Sequence, residues 1–185
     1  MLPREFDGGR LRRLRPADLL AFQAYRALPE CGRYQGWVPM PESEALAFLR
    51  EMEAAPLFTP GQWVQLGIAE SLSDRLIGDI GLHLAGDGAS GEVGFTLAPS
   101  AQGRGIAGRA VREAVDVLFA LTRATHVDGV ADARNLPSLR LLVRLGFLLV
   151  ETRPALFRGE ACVEEVYRLQ RDARPWGRGE PTSPR

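Results

Sequence analysis

The chain has 185 residues, 45% of them hydrophobic and 25% charged, the make-up of one ordinary globular domain long enough to bury a core. Its 23 basic residues, all arginine and scattered along the chain, balance 23 acidic ones, so no bulk field draws it to nucleic acid or an anionic membrane. The two cysteines and two histidines are not closely spaced, no apolar run approaches the ~20 residues of a membrane span, and Met1 to Asp7 lacks a signal peptide's apolar stretch. A reduced cytoplasmic protein without a metal, monomeric or homodimeric, is the expectation.

In chain order, Leu11 to Arg15 alternates apolar and basic side chains as a half-exposed strand does. Pro16 and Asp18 suit the first turn of a helix running to about Leu28, closed by Pro29-Glu30-Cys31-Gly32. Residues 33–41 read as an aromatic loop, and Glu42 to Met52 as a helix with Ala45, Leu49 and Met52 on one face. Three strands follow, 63–70, 76–84 and 92–97, joined by short turns into an antiparallel meander. Ile106 to Leu121 carries apolar residues at helical spacing, and His126 to Ala131 is a strand. Asn135 caps a short helix over 136–145, which Gly146 ends. Phe147–Thr152 and Ala161–Leu169 form a hairpin around 158–160. The domain is expected to span 1–171, with 172–185 a loosely ordered tail, rich in Pro and Gly and nearly devoid of apolar residues. The whole is an α+β (mixed α/β) fold.

The most informative stretch is Gln102-Gly103-Arg104-Gly105-Ile106-Ala107-Gly108, between a strand and a helix. A glycine-rich turn at a helix start exposes backbone N–H groups without intrahelical partners, and the positive end of the helix dipole adds to them, so a phosphate-bearing ligand is expected there. The spacing Gly103-x-Gly105-x-x-Gly108 also spells the dinucleotide fingerprint, with Asp128 placed where a ribose-binding acid belongs. That alternative, a nicotinamide-dependent oxidoreductase, has its context against it. Residues 98–102 separate strand from glycine, and too little chain follows for further βα units.

Gln102-x-x-Gly105-x-Ala107 resembles the Q/R-x-x-G-x-G/A signature of the GNAT superfamily of acyl-CoA-dependent N-acetyltransferases. Gly91 to Pro99 resembles that family's central strand, and Asp132 to Phe147, with its N-x-x-S and L-G-F landmarks, resembles its second CoA-side motif. Together with Ile77-Gly78-Asp79-Ile80-Gly81-Leu82 these features look like the branch that acetylates ribosomal-protein N-termini. The resemblance implies a central, mostly antiparallel twisted sheet, helices on both faces, and a parallel, splayed pair formed by the fourth and fifth strands, 92–97 and 126–131.

It further implies acetyl-CoA as acetyl donor, with no metal, and an amine acceptor, either a peptide N-terminus or a small molecule. The pyrophosphate would lie on Gly103, Arg104, Gly105, Ile106, Ala107 and Gly108. Backbone groups of Phe95, Thr96 and Leu97 would hold the pantetheine arm, with Asn135, Ser138 and Arg144 contributing. For each a plainer role stands beside this one: strand–helix turn for the glycines, helix cap for Asn135, solvated charge for Arg144. Glu92 is the first candidate base, with Asp79 and Glu151 behind it. The family's frequent tyrosine acid falls on Leu142, which leaves Ser138 to protonate the thiolate. Tyr34, Trp37 and Trp63 are candidates for the acceptor pocket, or else core or dimer contacts. A non-catalytic acyl-CoA-binding module of the same fold remains the other alternative.

Overall fold

Strand β4 (Leu76–Leu84) is buried along nearly its whole length, because helices cover both of its faces. Ile80, Leu82 and Leu84 turn toward α4 (Ile106–Leu121), whereas Asp79 turns toward α1 (Leu19–Arg26). The computed structural model describes residues 2–176. Within them one eight-stranded sheet runs in the order β1-β2-β3-β4-β5-β6-β8-β7. Its other strands are β1 (Arg4–Phe6), β2 (Gly9–Arg13), β3 (Trp63–Ala69), β5 (Ser90–Leu97), β6 (His126–Asp132), β7 (Leu148–Phe157) and β8 (Glu160–Gln170). Every neighbouring pair is antiparallel except β5–β6.

The parallel pair joins the expected segments but is the fifth and sixth strand, not the fourth and fifth. An additional strand, Arg4–Phe6, precedes the first one read from sequence, turned back onto β2 through Gly8 at a φ of +88°. The element at Pro29 is likewise a separate short helix, α2 (Pro29–Gly32), rather than only a helix end. With one parallel pair in an otherwise antiparallel sheet, this is not the doubly wound architecture that the dinucleotide alternative requires.

Two apolar clusters hold the layers. The larger joins the sheet to α4 and to α5 (Leu136–Arg144), through Val93, Leu97, Ile106, Ala110, Val111, Leu118, Leu141 and Leu142. The smaller, on the opposite face, joins Leu14, Phe22, Tyr25, Leu49 and Met52 of α1 and α3 (Glu42–Ala54) to Leu76. A buried polar knot fastens this second layer. Asp79 accepts hydrogen bonds from Tyr25 Oη, from Arg26 Nη2 at 3.0 Å and from Gln65 Nε2 at 2.5 Å. Arg26 in turn packs against the rings of Phe22 and Trp37, 4.3 and 4.5 Å from its guanidinium carbon. Burial and the neighbouring Asp79 charge push the Tyr25 phenol well above its ordinary value, so it stays a donor.

The segment expected to be a loose tail from Asp172 is docked as far as Trp176. Arg174 pairs with Asp116 of α4, and Trp176 Nε1 donates to the same carboxylate at 3.2 Å. Residues 177–185 of that tail lie outside the described residues.

Candidate active site

Strands β5 and β6 pair only over Ser90–Glu92 and His126–Asp128. Beyond Glu92 they part, while β5 keeps its other neighbour through Leu97. Backbone groups that a sheet would satisfy therefore face a gap between two strands. Three side chains reach into that gap. Gln35 Nε2 donates to the Phe95 carbonyl at 3.3 Å, and Gln102 Nε2 and the Cys31 thiol donate to the Leu97 carbonyl at 3.0 and 3.7 Å. Burial, reinforced by Glu30 and Asp79, raises the Cys31 thiol, which keeps it a neutral donor. The gap opens into a cleft of about 740 Å3.

The glycine loop closes one end of this cleft. Gly103 and Gly105 sit at φ of +74° and +73°, in the left-handed region where a Cβ is strained. Around Gly103 no atom lies within 4 Å of where a Cβ would stand, so the space above the loop is open. Gly105 is the N-cap of the 16-residue helix α4, no side chain caps that end, and the first intrahelical bond runs from Arg109 N to Gly105 O at 3.3 Å. The N–H groups of the first turn are thus left for an anion. Gln102 ties the loop back to β5 through its bond to Leu97.

Of the predicted cofactor residues, Phe95, Thr96, Leu97, Gly103, Gly105, Ile106, Ala107, Asn135, Ser138 and Arg144 all line the one cleft. Arg104 and Gly108 do not. Arg104 is exposed, with its carbonyl taken by Arg109 Nη1 at 3.1 Å, and Gly108 faces α5, 3.8 Å from Leu141 and Leu145 where a Cβ would sit. Asn135 does cap α5, accepting from Ser138 N at 3.4 Å, and this leaves the Ser138 hydroxyl free for other partners.

The catalytic and acceptor candidates fare less evenly. Glu92 is outside the cleft lining, in the paired part of β5, three residues or roughly 10 Å along the strand from Phe95. Burial pushes its carboxyl above the ordinary carboxylate range, His83 opposes that, and Asp128 adds to it. Asp79 is locked in the knot described above, and Glu151 is exposed on the edge strand β7. Leu142 packs on Gly129, whose Cβ would come within 2.6 Å of it, so a core contact occupies the position of the expected tyrosine.

Tyr34 lines the cleft, whereas Trp37 and Trp63 do not. Trp37 stacks on Arg26, and Trp63 on β3 stacks against His83 with centroids 5.3 Å apart. Cys31, Gln35 and Leu141 line the cleft and were not singled out from sequence, because they come from a short helix, a loop and a helix side whose approach to β5 has no local signal. Among the described residues no helix is long and apolar enough to cross a membrane, and no group of three His, Cys, Asp or Glu could hold a metal.

A sheet split over a helix N-terminus, with a left-handed glycine loop at its mouth, defines an acyltransferase fold of a particular kind. Residues 10–148 match the Acetyltransferase (GNAT) domain, and the chain belongs to that family of N-acetyltransferases. An uncharacterized N-acetyltransferase, p20, of Bacillus licheniformis is 26% identical over 139 residues, 74% of this chain and 77% of its own. The crystal structure of a GNAT-family acetyltransferase from Bacillus anthracis superposes with a TM-score of 0.81 at 16% identity, covering 93% of this chain and 99% of that one. RimL, a ribosomal-protein alpha-N-acetyltransferase in complex with coenzyme A, does so with a TM-score of 0.74 at 14% identity, covering 91% and 97%.

Proposed function

We propose that this chain transfers the acetyl group of acetyl-CoA to a primary amine by direct attack on the thioester. The observation that carries this reading is the cleft itself. The glycine turn at the α4 N-terminus, the stretch of β5 at Phe95–Leu97 that has no strand partner on the β6 side and the Ser138 hydroxyl all line this one cleft. That set suits a ligand that carries a pyrophosphate, a peptide-like arm and a thioester. The Gly103–Ala107 backbone would hold the phosphates, with Arg144 at the rim, and the Phe95 and Leu97 main chain would hold the arm in place of Gln35 and Gln102.

In the transfer, the amine lone pair attacks the thioester carbonyl carbon and the C–S bond breaks. The nitrogen loses one proton and the leaving sulfur gains one. The developing oxyanion meets a main-chain N–H of the free β5 edge, and the Ser138 hydroxyl donates toward the thiolate. Glu92 would act only through water, given its distance along β5. A peptide α-amine, with a pKa near ~8, has an appreciable neutral fraction and needs little help from a base, which favours an N-terminal or similarly weak amine over a lysine side chain at ~10.4. Action in the cytoplasm on such an acceptor completes the reading.

Thiol release from acetyl-CoA with a panel of N-terminal peptides, polyamines and aminoglycosides, beside a CoA thermal shift, tests it. Amine-dependent release supports transfer. The buried Leu142 and the distant Glu92 favour one second reading, an acyl-CoA-binding module without turnover, which would show the shift and no release.

A further inference from the structure

Beside the cleft lies a second cavity of about 310 Å3, between the loop after α2 and the tip of the β7–β8 hairpin. Its wall is Arg33, Tyr34, Arg134, Phe157, Arg158 and Glu160, and Arg33 and Tyr34 belong to the wall of the acyl cleft as well. The two spaces therefore adjoin at one arginine and one tyrosine.

The charges of this cavity do not cancel. Arg134 is neutralised by Asp132, Nε to Oδ1 at 2.9 Å and Nη2 to Oδ2 at 2.6 Å, and those bonds hold the Asp132 carboxyl below its ordinary range, so it remains ionised. Arg33 has no hydrogen bond and no carboxylate partner among the described residues, and its guanidinium lies 5.3 Å from the Tyr34 ring centre. Arg158 donates from Nη2 alone, to the carbonyls of Gly32, Gln35 and Trp37 at 3.1, 3.3 and 3.0 Å. Its Nε and Nη1 carry no partner among the described residues, and Glu160 is in ion-pair contact with none of the three arginines. Three carbonyls on one nitrogen fix the Arg158 fork in place. A preset guanidinium whose Nε and Nη1 donors are unused can still give a single charge-assisted hydrogen bond to an anion, and Arg33, with none of its donors taken among the described residues, can add others.

We propose that this cavity is the acceptor subsite and that it selects amines bearing a carboxylate a few bonds from the reacting nitrogen. The carboxylate rests on Arg33 and Arg158, and the amine passes Tyr34 toward the Phe95 edge. An acidic first residue of a peptide and a free amino acid share this chemistry. The inference rests on the acetyl-transfer reading above.

The test is kcat/KM for thiol release with three otherwise identical peptides beginning with Glu, Gln or Lys, and with free alanine and alaninamide. The Glu peptide is expected to exceed the Gln peptide by about tenfold or more at low salt, with the ratio shrinking as salt rises. The Arg33→Glu and Arg158→Gln proteins, checked for folding by circular dichroism, are expected to bring that ratio toward one. Because each ratio is taken within one protein, any change in CoA handling cancels. The free-amine arm identifies the source of the carboxylate: a comparable preference for alanine over alaninamide points to a small molecule, its absence to a peptide. Robust thiol release with no preference for Glu over Gln would overturn the selection and leave acetyl transfer standing. If no amine supports release, calorimetry of the CoA-saturated protein with the Glu and Gln peptides decides: tighter Glu binding that Arg33→Glu abolishes upholds the site, and equal binding overturns it.

Discussion

Gly105 is where one atom should report both on the fold and on the ligand. It is the N-cap of α4 at φ +73°, and a Cβ there would stand 3.2 Å from Arg109 Nη1, the far end of a flexible side chain that is able to move. For Gly105→Ala the steric term is therefore small and the left-handed backbone dominates, a loss of about 1–2 kcal/mol. In a domain of this size that corresponds to a fall in Tm of roughly 2–8 °C. CoA affinity should change little, because the N–H groups of the first turn keep their direction. Gly105→Glu adds the same strain plus a negative charge beside the anion cradle. Two like charges about 5 Å apart at an effective dielectric of ~20 repel by roughly 3 kcal/mol, a loss in CoA affinity of about a hundredfold. Calorimetric titration of CoA, with thermal melts of all three proteins, measures both effects. A folded Gly105→Glu protein that binds CoA as tightly as the wild type would refute the assignment of phosphates to this loop. An unchanged Tm for Gly105→Ala would refute the strain argument.

Other outcomes follow from the same structure. Asp79→Ala leaves the Arg26 guanidinium and the Tyr25 hydroxyl buried without their acceptor, and guanidinium unfolding should show a loss of about 3–5 kcal/mol; a loss below ~1 kcal/mol would mean the knot is dispensable. Ser138→Ala should lower kcat with CoA affinity kept, since Asn135 caps through the Ser138 backbone N–H rather than its hydroxyl. Asn135→Ala, by contrast, should cost about 1 kcal/mol of stability in denaturant melts. Glu92 gives a pH signature. Its carboxyl is raised in the folded state by burial, with His83 opposing and Asp128 adding, and Arg153 and Glu164 acting from the neighbouring hairpin. The folded protein then holds that proton more tightly than the unfolded chain, so the Glu92 contribution to stability falls as pH rises from the ordinary carboxylate value to the raised one. The stability difference between Glu92→Gln and wild type should grow across that window, and a flat difference from pH 4 to 8 would contradict it.

The strands and long helices could be read from the chain because their signals are local. Leu76–Leu84 and Ile106–Leu121 fall at the predicted boundaries, since alternation, helical spacing and bounding turns all lie within a few residues of each element. The glycine loop was readable for the same reason: Gly103 and Gly105 are where the backbone must take positive φ. The short strand at Arg4–Phe6 was not, because three residues carry no period and only pairing with β2 makes them a strand.

The site divides along the same line. The glycine turn and its helix follow from one contiguous run, Gln102 to Leu121, and need nothing distant to be recognised. Whether Glu92 sits at the thioester depends on where β5 leaves β6, a register between strands separated by α4, and that register leaves it in the paired part of the sheet. Whether Trp37 is a pocket wall or a lid on Arg26 depends on how α1, α2 and the loop between α2 and α3 stack on the Asp79 knot. The second cavity joins Arg33 to Arg158 across more than a hundred residues of chain, through carbonyls that any sequence would supply. Local periodicity and backbone chirality are written in neighbouring residues, whereas the meeting of distant polar groups is set by packing, which no short window of the chain contains.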